Sequence, residues 1–349
     1  MHTSIRHQHG GQLSLASQIY NIPLADWIDL STGINPQSYP LPEMPTNCWR
    51  RLPEINDGLE ITAKEYYGSS SLLPVAGSQE AIQRLPSLFE KKRNIGIITP
   101  AYHSHQQAWE KAGHRVIPLS SSEVEDKLSM LDVLLVVSPT NPSAEIFSTK
   151  TLLGWHQQLA QRGGTLIIDE AFIDATPEKS LITKRPKVGL IVLRSIGKFF
   201  GLAGIRLGFV WAVPEVLKML SEKQDDWAVS HPARWAGKMA LRDSRWQEEQ
   251  RKLLIAQTTR LKVLINKAIC AKPFKSGGVS DPAQQRCFLD HTALFVYIKC
   301  SRAEEIHIKL AKQGILTRYF DQPSALRFGL PSTGAQWRRL EQALEISHD

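Results

Sequence analysis

Residues 190–212 read LIVLRSIGKFFGLAGIRLGFVWA, and this stretch decides the fold class. Its two apolar runs, Leu190–Arg194 and Leu207–Ala212, are short and nearly continuous, as the buried strands of a parallel sheet usually are. Between them lies a glycine-rich segment in which Lys198 stands beside two phenylalanines. The stretch therefore predicts two strands of one sheet, joined by a loop that carries a sheltered lysine.

The same kind of pattern continues on the N-terminal side of this stretch. Four further apolar runs predict strands, at Ile95–Thr99, Val116–Leu119, Val133–Val137 and Thr165–Asp169. Segments with helical periodicity separate them, at Ser78–Lys91, Ser104–Ala112 and Thr149–Arg162. Strands that alternate with helices predict an α/β domain with a mostly parallel central sheet.

After Pro214 the order of predicted elements changes. Two helices are predicted first, at Leu217–Gln224 and Ala233–Ile269. A strand at Ala293–Lys299, a helix at Ala303–Gln313 and a strand at Ala325–Gly329 follow, and a last helix begins at Gln336. This order predicts a smaller α+β domain. We expect residues 46–230 to form the large domain, and residues 1–45 and 231–349 to form the small one.

Composition and charge narrow the classes of function. The net charge of +8 suits either nucleic acid or a small anionic substrate, but the basic residues are scattered without aromatic residues among them, which disfavours nucleic acid. No run of 18 apolar residues predicts a membrane span, and the N-terminus lacks the apolar core of a secretory signal. The four cysteines form no Cys-x-x-Cys pair, so we expect no metal site and reduced thiols in a cytoplasmic protein.

Lys198 is the first candidate for chemistry. By itself it reads equally as a surface lysine, but the neighbouring phenylalanines predict a sheltered site, where desolvation lowers the pKa of an amine and makes it a nucleophile. Ser195 and Arg206 lie close to it in sequence, and both side chains suit an anionic phosphate. The segment therefore predicts a nucleophilic lysine next to a phosphate site.

Three other polar positions follow predicted strands or open a helix. Asp169 ends a strand, where it is either a ligand-binding acid or a helix N-cap. Asn141 lies in a Thr-Asn-Pro segment, which is either an ordinary turn or a site that reaches a ligand. Gly77 and Ser78 open a predicted helix, and a glycine-led helix start favours phosphate.

Taken in order, these motifs resemble those of the fold-type I pyridoxal 5'-phosphate (PLP) enzymes, in the class I/II aminotransferase superfamily. The resemblance covers roughly residues 9–345. It implies that PLP is the cofactor and that Lys198 carries it as a Schiff base. It also implies a role for each matching position. Contacts to the cofactor phosphate would come from Gly77, Ser78, Ser195 and Arg206. Tyr102 would stack on the ring, Asn141 would contact the ring oxygen and Asp169 would contact the ring nitrogen.

Four further segments are similar to the threonine-phosphate decarboxylases of cobalamin biosynthesis, which are related to histidinol-phosphate aminotransferases. They are His9-Gly10-Gly11, Leu30–Pro36, Val192–Ser195 and Trp227–Ser230. This similarity implies decarboxylation of O-phospho-L-threonine to (R)-1-amino-2-propanol O-2-phosphate and CO2. The alternative is an aminotransferase that acts on a phosphorylated substrate such as histidinol phosphate.

The same similarity implies which residues bind the substrate. Arg327 would hold the α-carboxylate, while Arg318 and His9 would hold the substrate phosphate. Gly10, Gly33 and Asn141 would line the pocket. The alternative for each arginine is a solvated surface residue, which is the commoner role of a single arginine.

The chain departs from the superfamily pattern at three positions. Phe172 replaces a tyrosine that often reaches the cofactor ring, and Gly197 replaces a hydroxyl residue that often contacts its phosphate. Leu52 replaces a tyrosine that often reaches the cofactor of the neighbouring subunit. The superfamily resemblance still implies a homodimer, with one cross-subunit contact missing.

Overall fold

The computed structural model describes residues 10–183, 185–270 and 287–346. These residues fall into two compact units. The large unit is Ser38–Arg251, and the small unit comprises the described parts of Met1–Gln37 and Lys252–Asp349. The division into domains at 45/46 and 230/231 stays a prediction.

Thirteen strands occur in the described residues. In chain order they are β1 (Ile28–Asp29), β2 (Leu72–Val75), β3 (Asn94–Ile98), β4 (Arg115–Leu119), β5 (Val133–Val137), β6 (Thr165–Asp169), β7 (Leu190–Ser195), β8 (Gly208–Trp211), β9 (Phe288–His291), β10 (Phe295–Lys299), β11 (Ile315–Leu316), β12 (Arg318–Asp321) and β13 (Ser324–Gly329).

Twelve α-helices lie within the same described ranges. They are α1 (Leu13–Tyr20), α2 (Asn47–Arg50), α3 (Leu59–Tyr67), α4 (Ser78–Arg84), α5 (His103–Lys111), α6 (Val124–Lys127), α7 (Thr149–Ala160), α8 (Pro214–Ser221), α9 (His231–Arg242), α10 (Ser244–Ile265), α11 (Ala303–Ala311) and α12 (Gly334–Ile346). No helix in the described ranges is long and apolar enough to span a membrane.

The large unit is built around a seven-stranded sheet in the order β2-β8-β7-β6-β5-β3-β4. Strands β7, β6, β5, β3 and β4 pair in parallel, while β8 runs antiparallel to both of its neighbours. This arrangement confirms the predicted α/β class with a mostly parallel sheet. Pro74, which cannot donate a ladder hydrogen bond, lies in the edge strand β2, where proline is tolerated.

Both faces of this sheet are covered at its centre, which explains why a central strand such as β5 is apolar throughout. In β5 every residue is buried: Val133, Leu135 and Val137 pack in one hydrophobic cluster, and Leu134 and Val136 pack in another. The first cluster includes Trp109 of α5, and the second includes Trp155 of α7. A strand buried on both faces shows a continuous apolar run rather than alternation.

The small unit contains a four-stranded antiparallel sheet in the order β12-β13-β10-β9 and a parallel pair of β1 with β11. The strand and helix order confirms the predicted α+β character of the C-terminal part. Strands β9 and β12 are four residues each, too short to stand out in the sequence pattern.

The helix predicted over Ala233–Ile269 is wrong in its continuity, because the chain breaks at Asp243 between α9 and α10. Asp243 has a non-helical backbone, with φ −88° and ψ 76°. Its Oδ1 accepts a hydrogen bond from the backbone N of Trp246 at 3.0 Å. This bond satisfies one of the free N–H groups in the first turn of α10, which is the role of an N-cap aspartate. After α10, Asn266–Cys270 is a π-helical turn.

A buried ion network joins β7 to the segment that follows β6. Arg194 is 2% exposed; its Nη1 lies 3.2 Å from Glu170 Oε2, and its Nη2 bonds Asp174 Oδ1. Glu170 also accepts a bond from the backbone N of Leu181 at 2.7 Å. Burial raises the pKa of Glu170. The network holds two carboxyl groups away from water with one guanidinium between them.

Removing the guanidinium should therefore destabilise the fold strongly. Arg194→Met keeps most of the volume but leaves Glu170 and Asp174 without their cation, so we expect a loss of about 3–5 kcal/mol in the free energy of unfolding. Arg245→Met is the matched control, because the Arg245 side chain is 89% exposed and its pair with Glu249 is screened by solvent, so the free energy of unfolding should hardly change. Urea denaturation measures both changes.

The pH dependence gives a second check on the same variant. A buried carboxyl with a raised pKa binds a proton more tightly in the folded state, so protonation favours folding as the pH falls toward the ordinary value near 4.5. The stability deficit of Arg194→Met should therefore shrink as the pH falls from neutral toward the ordinary pKa of a glutamate. A deficit that grows with falling pH, or an equal deficit in Arg245→Met, would contradict this account.

Candidate active site

The ends of three adjacent parallel strands bring the predicted site segments of the large unit together. In the sheet β5 pairs with β6 and β6 pairs with β7, and Asp169 lies opposite Val137 on one side and Leu193 on the other. The segments that follow these strands, which carry Asn141 and Lys198, therefore start from the same edge. The carboxyl edge of an open α/β sheet is where such folds bind ligands.

Asp169 is buried at this edge and is held from two sides. It lies two residues beyond Ile167, on the sheet face that packs with Trp109 of α5. Its Oδ2 lies 2.9 Å from His105 Nε2, also on α5, and its Oδ1 accepts the backbone N of Ala171 at 3.0 Å. Asp169 is 3% exposed and His105 is 1% exposed, so the pair is shielded from water. The carboxylate is thus fixed in one orientation.

His105 was not among the residues predicted from the sequence. It follows Tyr102 by three positions and lies in the first turn of α5, so helical spacing relative to the predicted aromatic residue is the signal that could have found it. The Tyr102 ring lies 6.2 Å from the His105 ring in an edge-to-face arrangement. The Tyr102 hydroxyl donates to Gln79 Oε1 at 3.2 Å. Tyr102 therefore connects Asp169, through His105, to the start of α4.

A second group of residues surrounds the start of α4. Gly77 has φ +72°, and a Cβ placed there would lie 2.7 Å from Arg206 Nη2. Gly208 would place a Cβ 2.7 Å from the backbone N of Ser78. Only glycine permits both approaches, so the Ser78 amide and the Arg206 guanidinium come together in one place. Ser195 pairs with Gly208 across β7 and β8, which brings its hydroxyl to the same end of the sheet.

Lys198 lies in a sheltered loop, as its neighbours predicted. The Nζ atom lies 5.6 Å from the centre of the Phe172 ring, and the side chain is half-buried. Phe199 and Phe200 are fully buried, and Phe200 stacks on Trp246 of α10 with ring centres 5.7 Å apart. The aromatic packing fixes the backbone on the C-terminal side of the lysine.

The structure also shows the surroundings of the three departures. A Cβ at Gly197 would lie 3.0 Å from Ala203 Cα, so the loop is closely packed at this position. Phe172 is buried against Lys198 instead of offering a hydroxyl. Leu52 is 61% exposed in the single chain.

Of the predicted substrate residues that can be described, Asn141 lies in the large unit, whereas Gly10, Gly33, Arg318 and Arg327 lie in the small unit. Arg318 and Arg327 stand directly opposite each other on β12 and β13. Burial and then the positive charge of Arg318 lower the pKa of Arg327 to about 9. Like charges in such a cross-strand pair repel each other, so the pair marks a place that an anion would stabilise.

The backbone carbonyl of Ser31 lies close to both Arg327 and Gly10. Arg327 Nη2 donates to the Ser31 carbonyl at 2.6 Å, and a Cβ at Gly10 would lie 2.4 Å from the same oxygen. Gly33 follows two residues later and is buried. Arg318, Arg327, Ser31 and Gly10 thus come together within this unit, whereas His9 lies outside the described residues.

Comparison with known proteins identifies the family of the chain. The family described as aminotransferase class I and II matches residues 53–344. The chain is 46% identical over 337 residues to the threonine-phosphate decarboxylase of Pseudomonas aeruginosa, with 97% of both proteins covered. It is 35% identical over 345 residues to the threonine-phosphate decarboxylase of a Sinorhizobium species, with 96% of this chain and 97% of that protein covered.

This chain belongs to the aminotransferase class I and II family. A solved structure of similar fold is the histidinol-phosphate aminotransferase from Sinorhizobium meliloti in complex with pyridoxal-5'-phosphate, with a TM-score of 0.77. It is 14% identical in sequence, and the match covers 97% of this chain and 94% of that one. The similarity confirms the fold that the motifs indicated.

The residues of the large unit fit the cofactor that the family resemblance implies. The place where Gly77 leaves room for Arg206 beside the Ser78 amide suits a phosphate group. The buried and oriented carboxylate of Asp169 suits a protonated ring nitrogen. Lys198 supplies the amine, and Tyr102 supplies an aromatic face at the same edge. The donor set thus offers one matching group for each end of PLP.

Proposed function

We propose that this protein is a PLP-dependent threonine-phosphate decarboxylase. It converts O-phospho-L-threonine to (R)-1-amino-2-propanol O-2-phosphate and CO2, a reaction of cobalamin biosynthesis. The observation that carries the proposal is the opposed pair Arg318 and Arg327 in the small unit. Because the large unit has its own phosphate-binding group at Gly77 and Arg206, this pair is available for a substrate with two anionic groups. The 46% identity to a threonine-phosphate decarboxylase supports the same substrate.

PLP is the cofactor in this proposal, and it supplies an electron sink for the bond that breaks at the α-carbon. Lys198 Nζ would hold the cofactor. Ser78, Ser195 and Arg206 would bind its phosphate, and Asn141 would bind its ring oxygen. Tyr102 would cover the ring. Asp169, held by His105, would keep the ring nitrogen protonated.

The protein's own groups then control which bond breaks. Arg327 binds the α-carboxylate, and Arg318, together with His9, binds the substrate phosphate. By fixing both ends of the substrate, Arg327 and Arg318 would orient the bond between the α-carbon and the carboxylate for cleavage. Lys198 Nζ would donate the proton that replaces CO2 at the α-carbon. The buried surroundings of Asp169 exclude water from this edge.

An aminotransferase that acts on a phosphorylated substrate such as histidinol phosphate is the second candidate. It rests on the similar fold of the histidinol-phosphate aminotransferase named above. The two activities share the cofactor residues and differ in how the substrate carboxylate is held. Sequence identities of 46% and 35% to two threonine-phosphate decarboxylases, each over nearly the whole chain, favour the decarboxylase.

A homodimer in the cytoplasm completes the proposal. Three large apolar side chains of the segment 47–55 are exposed in the single chain: Trp49 by 68%, Leu52 by 61% and Ile55 by 79%. Clustered exposed apolar residues are typical of a surface that another protein covers. We assign this segment to contact with a second copy of the chain, which agrees with the dimers typical of fold-type I PLP enzymes.

The assignment of Lys198 predicts a specific covalent label. Borohydride reduction of the PLP-loaded protein should attach the cofactor to Lys198, and peptide mapping should find the label there. Lys198→Ala should lose both this label and turnover, because no other lysine stands at the strand-edge loop. Lys223→Ala, a change at a lysine beyond α8, is the control and should keep the label. A label on another lysine would overturn the assignment.

The roles of the two arginines predict a difference between substrates. Arg318→Ala should reduce kcat/KM on phosphothreonine about ten- to a hundredfold while changing kcat/KM on threonine little, since threonine has no phosphate. Arg327→Ala should reduce kcat/KM on both substrates, because both carry the α-carboxylate. Arg338→Ala, at an exposed arginine of α12, is the matched control.

Release of CO2 measures these effects. Arg318→Lys should recover only part of the activity, since an ammonium lacks the planar pair of donors of a guanidinium. If Arg318→Ala weakened threonine and phosphothreonine turnover by the same factor, Arg318 would be structural and the proposed phosphate contact would be wrong.

A further inference from the structure

A cavity of about 450 Å³ lies within the large unit, and none of the proposed cofactor residues lines it. Its walls come from the end of α3, from the segment after β6, from β7 and from the α9–α10 junction. The polar and charged side chains that carry the argument are Glu65, Tyr67, Arg194, Arg242 and Arg251. We call this space the arginine cavity.

Two buried polar atoms at the arginine cavity have no hydrogen-bond partner among the described residues. They are the Tyr67 hydroxyl and Arg194 Nε. Tyr67 is 9% exposed and Arg194 is 2% exposed, so bulk water does not satisfy either group. A buried donor without a partner is costly, and proteins usually supply one from a bound water or a ligand.

Two of the arginines that line the cavity have donors that other described residues do not use. Arg194 is not one of them, because it is paired with two carboxylates, Glu170 and Asp174. Arg251 uses only Nε, which donates to the Asp174 carbonyl at 3.0 Å, and no hydrogen bond is found in the described part of the chain for its terminal nitrogens or for Arg242. Glu65 is the one carboxylate among the residues that line the cavity. The terminal nitrogens of Arg251 and the exposed guanidinium of Arg242 are therefore the donors that a ligand in this cavity would use.

We propose that the arginine cavity binds a small oxyanion, either a phosphate ester or a carboxylate, through Arg242 and Arg251. Guanidinium groups bind both kinds of oxyanion with paired hydrogen bonds. The Tyr67 hydroxyl supplies a neutral donor to the same ligand. This site goes beyond the decarboxylase reaction and does not depend on it.

The position of Arg251 connects the site to the lysine loop. Its Cζ lies 5.4 Å from the centre of the Phe199 ring, and Phe199 directly follows Lys198. An anion bound at Arg251 would therefore lie close to Phe199, the residue that follows the proposed nucleophile Lys198. The light absorption of the PLP-loaded protein should shift slightly when the site fills.

Binding is tested with inorganic phosphate and, separately, with succinate as the probes. Calorimetric titration uses the PLP-loaded protein with both Arg318→Ala and Arg327→Ala, so that neither the cofactor site nor the opposed arginine pair contributes, and ionic strength is held constant with chloride. We expect one saturable site. Adding Arg242→Ala should weaken it about tenfold or more, whereas Arg245→Ala, an exposed arginine three residues away, should leave it unchanged. Binding of phosphate alone assigns phosphate esters, and binding of succinate alone assigns carboxylates.

Tyr67→Phe separates a ligand site from a structural water. If the hydroxyl serves the ligand, this variant should bind the anion more weakly while the Tm of the unliganded protein stays equal or rises. Three results would overturn the proposal: no saturable binding of either probe, equal weakening by Arg242→Ala and Arg245→Ala, or a Tyr67→Phe variant with a lower Tm and unchanged binding.

Discussion

The parallel pairing of β5, β6 and β7 is the constraint on which the rest of the site depends. Because the three strands run in the same direction, the segments that follow them begin at one edge of the sheet. The pairing register of β6 with its neighbouring strands is also fixed. A shift of β6 by one residue would turn Asp169 away from α5 and break its contact with His105. Apolar packing on both faces, in two separate clusters, fixes that register.

Buried charge then gives the site its rigidity. The ion network of Arg194 with Glu170 and Asp174 ties the segment after β6 to the strand that leads into the lysine loop. Such a network contributes little net stability, but it penalises every arrangement that leaves one of its charges unpaired. The backbone on both sides of Asp169 and Lys198 is therefore held by groups that do not themselves take part in the chemistry.

Much of this could be predicted from the sequence, because β5 and β6 are continuous apolar runs whose ends are marked by polar residues. The predicted bounds Val133–Val137 and Thr165–Asp169 agree with the structure. Gly77, Asp169 and Lys198 could be singled out because each has an unusual residue type at a strand or helix end. The family resemblance then assigned a role to each of them.

Other features depend on tertiary contacts that no local pattern reveals. The opposed position of Arg318 and Arg327 requires the register of β12 against β13, and β12 has only four residues. His105 gains its importance only when α5 packs on the face that carries Asp169. The break at Asp243 interrupts an otherwise helical pattern, because its side chain caps the next helix. The unpaired Tyr67 hydroxyl likewise becomes visible only when burial is known.

The proposed residues are distributed over the two units. The large unit carries the proposed cofactor residues, and the small unit carries the proposed anion-binding arginines. The central claim is that the substrate loses its carboxylate and keeps its amine.

The most direct test is to incubate the PLP-loaded protein with O-phospho-L-threonine labelled with ¹³C at the carboxylate, with and without 2-oxoglutarate, and to follow the label by NMR. The account predicts that the label appears as CO2 and bicarbonate, at a rate independent of 2-oxoglutarate, with one equivalent of amino-propanol phosphate. Label retained in a keto acid, formed only when 2-oxoglutarate is present, would contradict it and establish an aminotransferase.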